Sequence, residues 1–490
     1  MVADGSLPAP APARRVHAEE PGSALALAEE VLGRALRIGA TEAEVLVTAG
    51  DSSLTRFANS EIHQNVAERS VNVNLRYVVG KRIAVVSTGK IDPEGLRTLV
   101  HRAAAIARSC EELPDWAGLP GPTGLATAAS TSLDPAARGA AATSAATPAA
   151  EPSSIGWSDA TAGATPEFRA EGVRAVIAAA DAAGVLAYGS FATDAEALAV
   201  ANSAGIRAAE RRTSSQLLTV HMSPDGGTGY AEGVSRDATT IDAAAIGREA
   251  ATKARAGDRA VSIPAGDYPV VLEEYAVVDI TDQLGYLGFS ALAVQEERSF
   301  AEPGRRIGSE LVTIIDDGAD PNGLPMAFDY EGVRKQRVPL VERGICREVV
   351  YDSQTAGRAG RASTGHGLPA PNPWGPFPLN AVMSAGEVSR EELIGGMDRG
   401  LLVTRFHYTN VVHPKLAIIT GMTRDGTFLV DGGRIVGPVR NLRYTQSYLD
   451  ALAGVSAVSL ERKAIRGFLG AAVVPALRID GWTFTGVTEH

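Results

Sequence analysis

Apolar residues first recur at helical spacing over 23–38, where Leu25, Leu27, Ala28, Val31, Leu32, Ala35 and Leu36 trace an amphipathic stripe. Gly39 is a natural C-terminal cap for that helix. The period then drops to two. Strands are expected over 42–48 and 53–57, with Gly50-Asp51 supplying turn chemistry between them, and over 70–79 and 82–87 as a hairpin about Gly80-Lys81. Residues 92–110 return to helical spacing, with Pro93 in the first turn. Helix, four strands and helix form an α+β layer. Further on, 166–184 and 239–256 read as helices, and 186–200 and 206–221 as strands joined at Asn202-Ser203-Ala204-Gly205.

From 263 onward the texture is short strands and Asp/Gly turns: 268–272, 311–318, 338–344, 416–421 and 427–436. Such spacing predicts an antiparallel sandwich or barrel-like domain. Two segments carry no period. Residues 1–20 are Pro/Ala-rich and read as a disordered leader, and 117–166 is dominated by Ala, Thr, Ser, Gly and Pro and reads as a flexible insertion. The expected organisation is therefore α+β: leader 1–20, N-terminal α/β layered domain 21–116, insertion 117–166, a middle region 167–262 continuing the first domain, and a β-rich domain 263–490. No internal repeat is visible.

Composition narrows the function classes. With 46 Lys+Arg against 57 Asp+Glu the formal net charge is −11, the opposite of a nucleic-acid-binding footprint. Two cysteines, Cys110 and Cys346, cannot make a disulfide framework or a four-thiolate zinc site. No apolar run approaches transmembrane length and the first residues lack a signal-peptide core. A cytoplasmic protein without membrane or nucleic-acid partners is expected.

Several strings are specific. Phe328-Asp329-Tyr330-Glu331-Gly332-Val333, Gln336-Arg337, Val341-Glu342-Arg343-Gly344 and Tyr351-Asp352-Ser353-Gln354-Thr355-Ala356 lead into Ser363-Thr364-Gly365-His366-Gly367. Gly421-Met422-Thr423-Arg424-Asp425-Gly426-Thr427 and Gly432-Gly433-Arg434-Ile435-Val436-Gly437-Pro438-Val439 follow. This succession resembles the TldD/TldE (PmbA) family, and Glu61, Arg69, Gly80 and Lys81 fit its first domain. The resemblance implies a metalloprotease system in which TldD-like and TldE-like chains pair to hydrolyse flexible peptides. In it, the TldD-like chain carries zinc on a His-Glu-x-x-x-His helix with a later cysteine ligand. In that register Thr281-Asp282-Gln283-Leu284-Gly285-Tyr286 stands where His-Glu-Ala-x-Gly-His would be, and no cysteine follows Cys346. Thr281, Asp282 and Tyr286 therefore mark a degenerate zinc-helix position, which resembles the zinc-less TldE-type subunit.

Other chemistry is weaker. His407 and His413 would share a face of an unbroken strand, and His366 sits in a Gly-rich loop, but no Cys, Asp or Glu completes a metal-ligand spacing. Neither cysteine has a local base or helix N-terminus to activate it. Asp316-Asp317 reads as a hairpin turn, and Arg334-Lys335-Gln336-Arg337 as a solvated strand edge. The run Pro369-Ala370-Pro371-Asn372-Pro373-Trp374-Gly375-Pro376-Phe377-Pro378 either lines a peptide cleft or covers a sheet edge.

The leading expectation is a TldE-like subunit without catalytic residues, metal or cofactor of its own. It would work beside a zinc-bearing TldD-like partner on extended or unfolded peptides in peptide maturation. Two alternatives stay open: a stand-alone hydrolase built on His366, His407 or His413, and a regulatory binding module of gyrase-modulator type. A dimer is expected in isolation, because a shared fold allows isologous contact between two copies, with the leader and the insertion outside the interface.

Overall fold

The computed structural model describes residues 16–122 and 152–487. The N-terminal domain begins with α1 (Pro21–Arg37), whose apolar stripe is buried from Ala24 to Ala35. The strands β1 (Glu42–Ala58), β2 (Glu61–Val79) and β3 (Arg82–Thr88) follow. Next come α2 (Pro93–Ser109), β4 (Ser153–Gly156), α3 (Asp159–Ala162) and α4 (Pro166–Ala183). The domain is completed by β5 (Leu186–Asn202), β6 (Arg207–Met222), β7 (Thr228–Ser235) and α5 (Ala243–Ala256). Its seven-stranded sheet runs β3-β2-β1-β5-β6-β4, with β7 also on β6. Helices α1 and α2 cover one end of the sheet, and α4 and α5 cover another.

The expected four short strands are three, two of them long. Gly50-Asp51 does not turn: β1 runs unbroken through it, paired to β2 on one side and β5 on the other. Two ladders outweigh the local turn preference of Gly-Asp, and the actual turn is at Asn59 and Ser60, both at positive φ. The expected leader and insertion also shrink. Residues 1–15 and 123–151 lie outside the described residues, but Val16 and Ala18 are buried. In the expected insertion, Leu119 N donates to Glu42, Ser153–Gly156 lies parallel to β6, and Trp157 is buried. One buried tryptophan and the pairing with β6 anchor the end of an otherwise small-residue stretch.

The C-terminal domain opens with β8 (Gly266–Leu272), α6 (Glu274–Leu287) and α7 (Ala291–Gln295). The short elements β9 (Ile314–Asp316), β10 (Val338–Glu342), β11 (Ile345–Cys346), α8 (Ser353–Arg358), β12 (Ala381–Met383) and α9 (Arg390–Gly395) follow. It ends with β13 (Arg399–His413), β14 (Ile418–Asp431), β15 (Arg434–Pro438), β16 (Leu442–Ser447), α10 (Tyr448–Ala453), β17 (Val455–Arg466) and β18 (Ala471–Val487). Strands β18, β16, β14, β13 and β8 pair in turn and β18 pairs back to β8, so five strands close into a barrel. The domain expected to be antiparallel is mixed, since β13–β8 and β12–β18 pair in parallel, and closure of the five strands removes the open edges a sheet otherwise presents. The architecture is α+β, an N-terminal α/β layer joined to a strand-rich domain.

Two charged strings sit differently from expectation. Asp316 is not in a solvated turn and Lys335 is not on a strand edge: at 0% and 3% side-chain exposure they form an ion pair of 2.8 Å. His366 Nε2 shares the same Asp316 oxygen at 2.8 Å, and Thr364 meets its Nδ1 at 2.9 Å. Lys335 and His366 reach Asp316 only through the fold, so local spacing could not reveal the cluster.

The domains meet along the 328–333 loop. Asp329 folds this loop on itself by accepting from Glu331 N and Val333 N, and holds Gly367 N at 2.6 Å. Gly332 takes φ +77° there, and a Cβ on it would stand 2.6 Å from Ile206 of the N-terminal domain. Glycine is what lets the backbone approach that closely. Glu331 receives the Ser353 N–H and hydroxyl at the start of α8, and lies 3.5 Å from Arg76 of β2. Glu44 is 3.4 Å from the same guanidinium.

Candidate functional site

Beyond that seam the domains part around a cleft of about 400 Å³. Its N-terminal wall is built from the middle of β1 and from facing positions of β5 and β6; its other wall comes from the 324–326 and 379–380 segments and the turn between β17 and β18. Arg212 of β6 is bound to Glu196 at 2.6 Å and donates to Tyr330 Oη at 3.0 Å. Asp194 accepts from the Ser52 and Ser214 hydroxyls at 2.6 and 3.3 Å. At the rim, Arg69 is paired with Asp51 at 2.5 Å. Arg466, the last residue of β17, donates to Ser214 Oγ at 3.1 Å. Asn380 donates its amide to Leu324 O, while its Oδ1 is buried without a hydrogen-bond partner. The cleft is thus lined about equally by polar and apolar groups, with most of its charges committed to one another.

Helix α6 stands behind the β17–β18 turn and carries Thr281, Asp282 and Tyr286, the positions expected to mark a degenerate zinc helix. A catalytic zinc needs about three protein ligands and one open coordination position. Thr281 is buried and its hydroxyl donates to Val278 O at 2.8 Å. The Tyr286 ring is partly exposed and faces the Arg298 guanidinium at 5.9 Å. Asp282 accepts the Phe468 N–H at 2.6 Å. These three side chains serve three separate partners and do not fit a zinc ion. Burial raises the Asp282 carboxyl to about 7, against the pull of the Phe468 N–H. Gly285 lies under Pro378 and Phe377, so the Pro-rich loop packs over this helix at its C-terminal end, while Ala370 O accepts from Asn74 of β2.

The histidines are not brought together. His366 is locked in the Asp316 cluster, where burial and the Lys335 charge lower its pKa. His407 and His413 lie on β13, but bulges interrupt its pairing between them. His407 packs edge-on to Tyr408, and His413 Nδ1 accepts from Leu416 N. Among the described residues no group of three or more His, Cys, Asp or Glu could hold a metal ion. Burial pushes the Cys346 thiol up to about 11, away from nucleophilic use. The cleft itself was missed in the sequence, although Arg466 and Asp194 are both plain charged residues within strand patterns.

The fold and cleft define a two-domain α+β protein in which a layered N-terminal sheet faces a barrel-bearing C-terminal domain. The model of the PmbA/TldA metallopeptidase C-terminal domain matches residues 265–486, and that of domain 1 matches 43–107. Together they cover more than half of the sequence, and the chain belongs to this PmbA/TldD family.

Among curated relatives, a TldD-homologue metalloprotease of Haemophilus influenzae is 27% identical over 264 residues, covering 50% of this chain and 54% of the relative. A metalloprotease of Methanothermobacter thermautotrophicus is 28% identical over 251 residues, covering 50% and 53%. The matched stretches span about a third to a half of the length of these relatives. The fold is similar to the crystal structure of TldE from Thermococcus kodakarensis, with TM-score 0.81, 20% identity, and 94% and 100% of the two chains covered. It is also similar to a Thermotoga maritima protein described as a candidate modulator of a DNA gyrase, with TM-score 0.77, 18% identity, and 94% and 99% covered. No described helix is long and apolar enough to cross a membrane.

Proposed function

We propose that this chain is the zinc-free, TldE-like member of a two-subunit metalloprotease, holding an extended peptide in its interdomain cleft while a zinc-bearing TldD-like partner cuts it. The observation that carries the reading is the state of α6: Thr281, Asp282 and Tyr286 are each engaged with a separate partner within this chain. Asp282 in particular holds the turn that walls the cleft. A cleft lined about equally by polar and apolar groups suits the amides and side chains of an extended peptide more than a single apolar ligand. Against the hydrolase reading built on histidines, His366 is buried against Asp316 and Lys335, and His413 Nδ1 is taken by the Leu416 N–H.

Metal analysis of the purified chain tests the first half of the proposal, with less than a tenth of an equivalent of zinc expected. Stoichiometric zinc on the lone chain would overturn it. Peptide hydrolysis by the lone chain is expected to be absent, and restored by a TldD-like subunit in a chelator-sensitive way. Hydrolysis by the lone chain that ignores chelator would favour an independent active site.

A further inference from the structure

The geometry points to Arg466 as the anchor for the C-terminal carboxylate of an extended peptide, an inference that rests on the peptide-holding reading above. A guanidinium carries five N–H donors in a fixed fork matched to a carboxylate. Arg466 spends one of them on the Ser214 hydroxyl, and among the described residues no carboxylate lies within ion-pair distance of it. The other cations of the cleft are taken, Arg212 by Glu196 and Arg69 by Asp51. Arg466 therefore faces the cleft with free donors and no partner charge in contact.

A peptide C-terminus supplies the carboxylate that the free donors of this guanidinium lack. Asn380 in the same cleft is fixed through its amide on Leu324 O, and its Oδ1 is enclosed by the fold, so the recognition falls to Arg466. Asp194, joined to Arg466 through Ser214, weighs against any anion that does not form the full two-bond fork. The turn that follows Arg466 is held in place from α6 by the bond from Phe468 N to Asp282. Asp282 is thus a positioning residue for the cleft.

Calorimetric titration of the full chain with an N-acetylated, neutral octapeptide tests this in three forms: free acid, C-terminal amide, and amide with one internal Glu. The free acid is expected to bind about 10- to 100-fold more tightly than the amide, the span of a hydrogen-bonded charge. The internal-Glu amide should bind like the plain amide. Arg466→Gln should abolish the difference between acid and amide, and Arg466→Lys should retain part of it. Equal affinity of acid and amide for the wild-type chain would overturn the inference and leave the peptide reading standing. An internal-Glu amide as tight as the free acid would overturn the terminal assignment, and a persistent preference for the acid in Arg466→Gln would overturn the role of Arg466. Failure of all three peptides to bind would overturn both readings.

Discussion

Arg76 and Arg466 both stand where the N-terminal sheet meets the C-terminal domain, and their surroundings are opposites. Arg76 is wedged between Glu44 and Glu331, and Glu331 is bonded in turn to the start of α8. Acidic groups there outnumber the one cation, so burial and mutual repulsion raise the carboxyls of Asp329 and Glu331, and bring Glu44 to about 7. At the cleft, Asp51 and Glu196 are paired with arginines and Asp194 with hydroxyls, while Arg466 makes no ion-pair contact and feels Asp194 and Glu232 only from beyond it. One boundary region has spent its polar groups on holding the domains together. The other has kept a donor fork in reserve, as a surface must if it is to recognise something other than itself.

The largest effect should come from breaking the spent side. Glu331→Ala removes the link between Arg76 and Ser353 and leaves a buried guanidinium with Glu44 alone. Cutting one partner of a buried pair costs about 3–5 kcal/mol, so urea unfolding should show a loss of that order without change in the m-value. A loss below about 1 kcal/mol would mean that the domains are held elsewhere, for instance by the Glu249–Lys253–Glu273 cluster between α5 and α6.

A pH series sharpens the same side. Glu44 is raised from 4.5 to about 7, mainly by desolvation, and its Oε2 has no partner. Its folded value lies above its unfolded value, so its contribution is fully present below pH 4.5 and is lost as pH rises through about 7. The difference corresponds to something on the order of 3 kcal/mol. Unfolding free energies at pH 5 and pH 8 should therefore fall in the wild type by more than in Glu44→Gln, whose amide has no proton to lose. Identical pH slopes for the two proteins would contradict the assignment.

How much of this contrast was legible in the sequence depends on the distance over which each part is built. The helix at α1 and the 80–81 hairpin are local patterns, and they stand where periodicity puts them, while 281–286 lies on a helix, α6, as its register suggested. The string 328–333 was conspicuous, yet its role was hidden, because Glu331 acts on Arg76, which lies 255 positions away in sequence. Gly50-Asp51 misled because a strand paired on both sides can carry a turn dipeptide through its middle. The cleft was invisible for the same reason as the seam. It is assembled from β1, β5, β6, two loops and the β17–β18 turn, and none of those segments has a composition that sets it apart.

Asp282 stands behind the cleft, where its carboxylate receives the Phe468 N–H. Asp282→Ala should cost about 1 kcal/mol, the worth of one hydrogen bond at a partly exposed turn. Its clearer signature would be a loss of the free-acid preference in peptide binding, since the turn beside Arg466 is then no longer held. Retention of that preference would reduce Asp282 to a local structural role.

The smallest expected effect on stability is the most telling. Arg466→Gln removes a charge that makes one hydroxyl bond and no contact with a carboxylate, and the cost should be within about 0.5 kcal/mol, as for a residue whose interactions the fold does not need. Arg76→Gln, by contrast, strands Glu44 and Glu331 without their cation and should cost several times as much, about 3 kcal/mol or more. Paired unfolding curves for the two variants read this directly. If Arg466→Gln destabilises the chain as much as Arg76→Gln does, then Asp194 and Glu232 hold Arg466 as a structural charge from beyond contact distance. The cleft would then be a second seam. If the stabilities diverge as expected, the guanidinium at the end of β17 is free to spend its binding energy on a ligand.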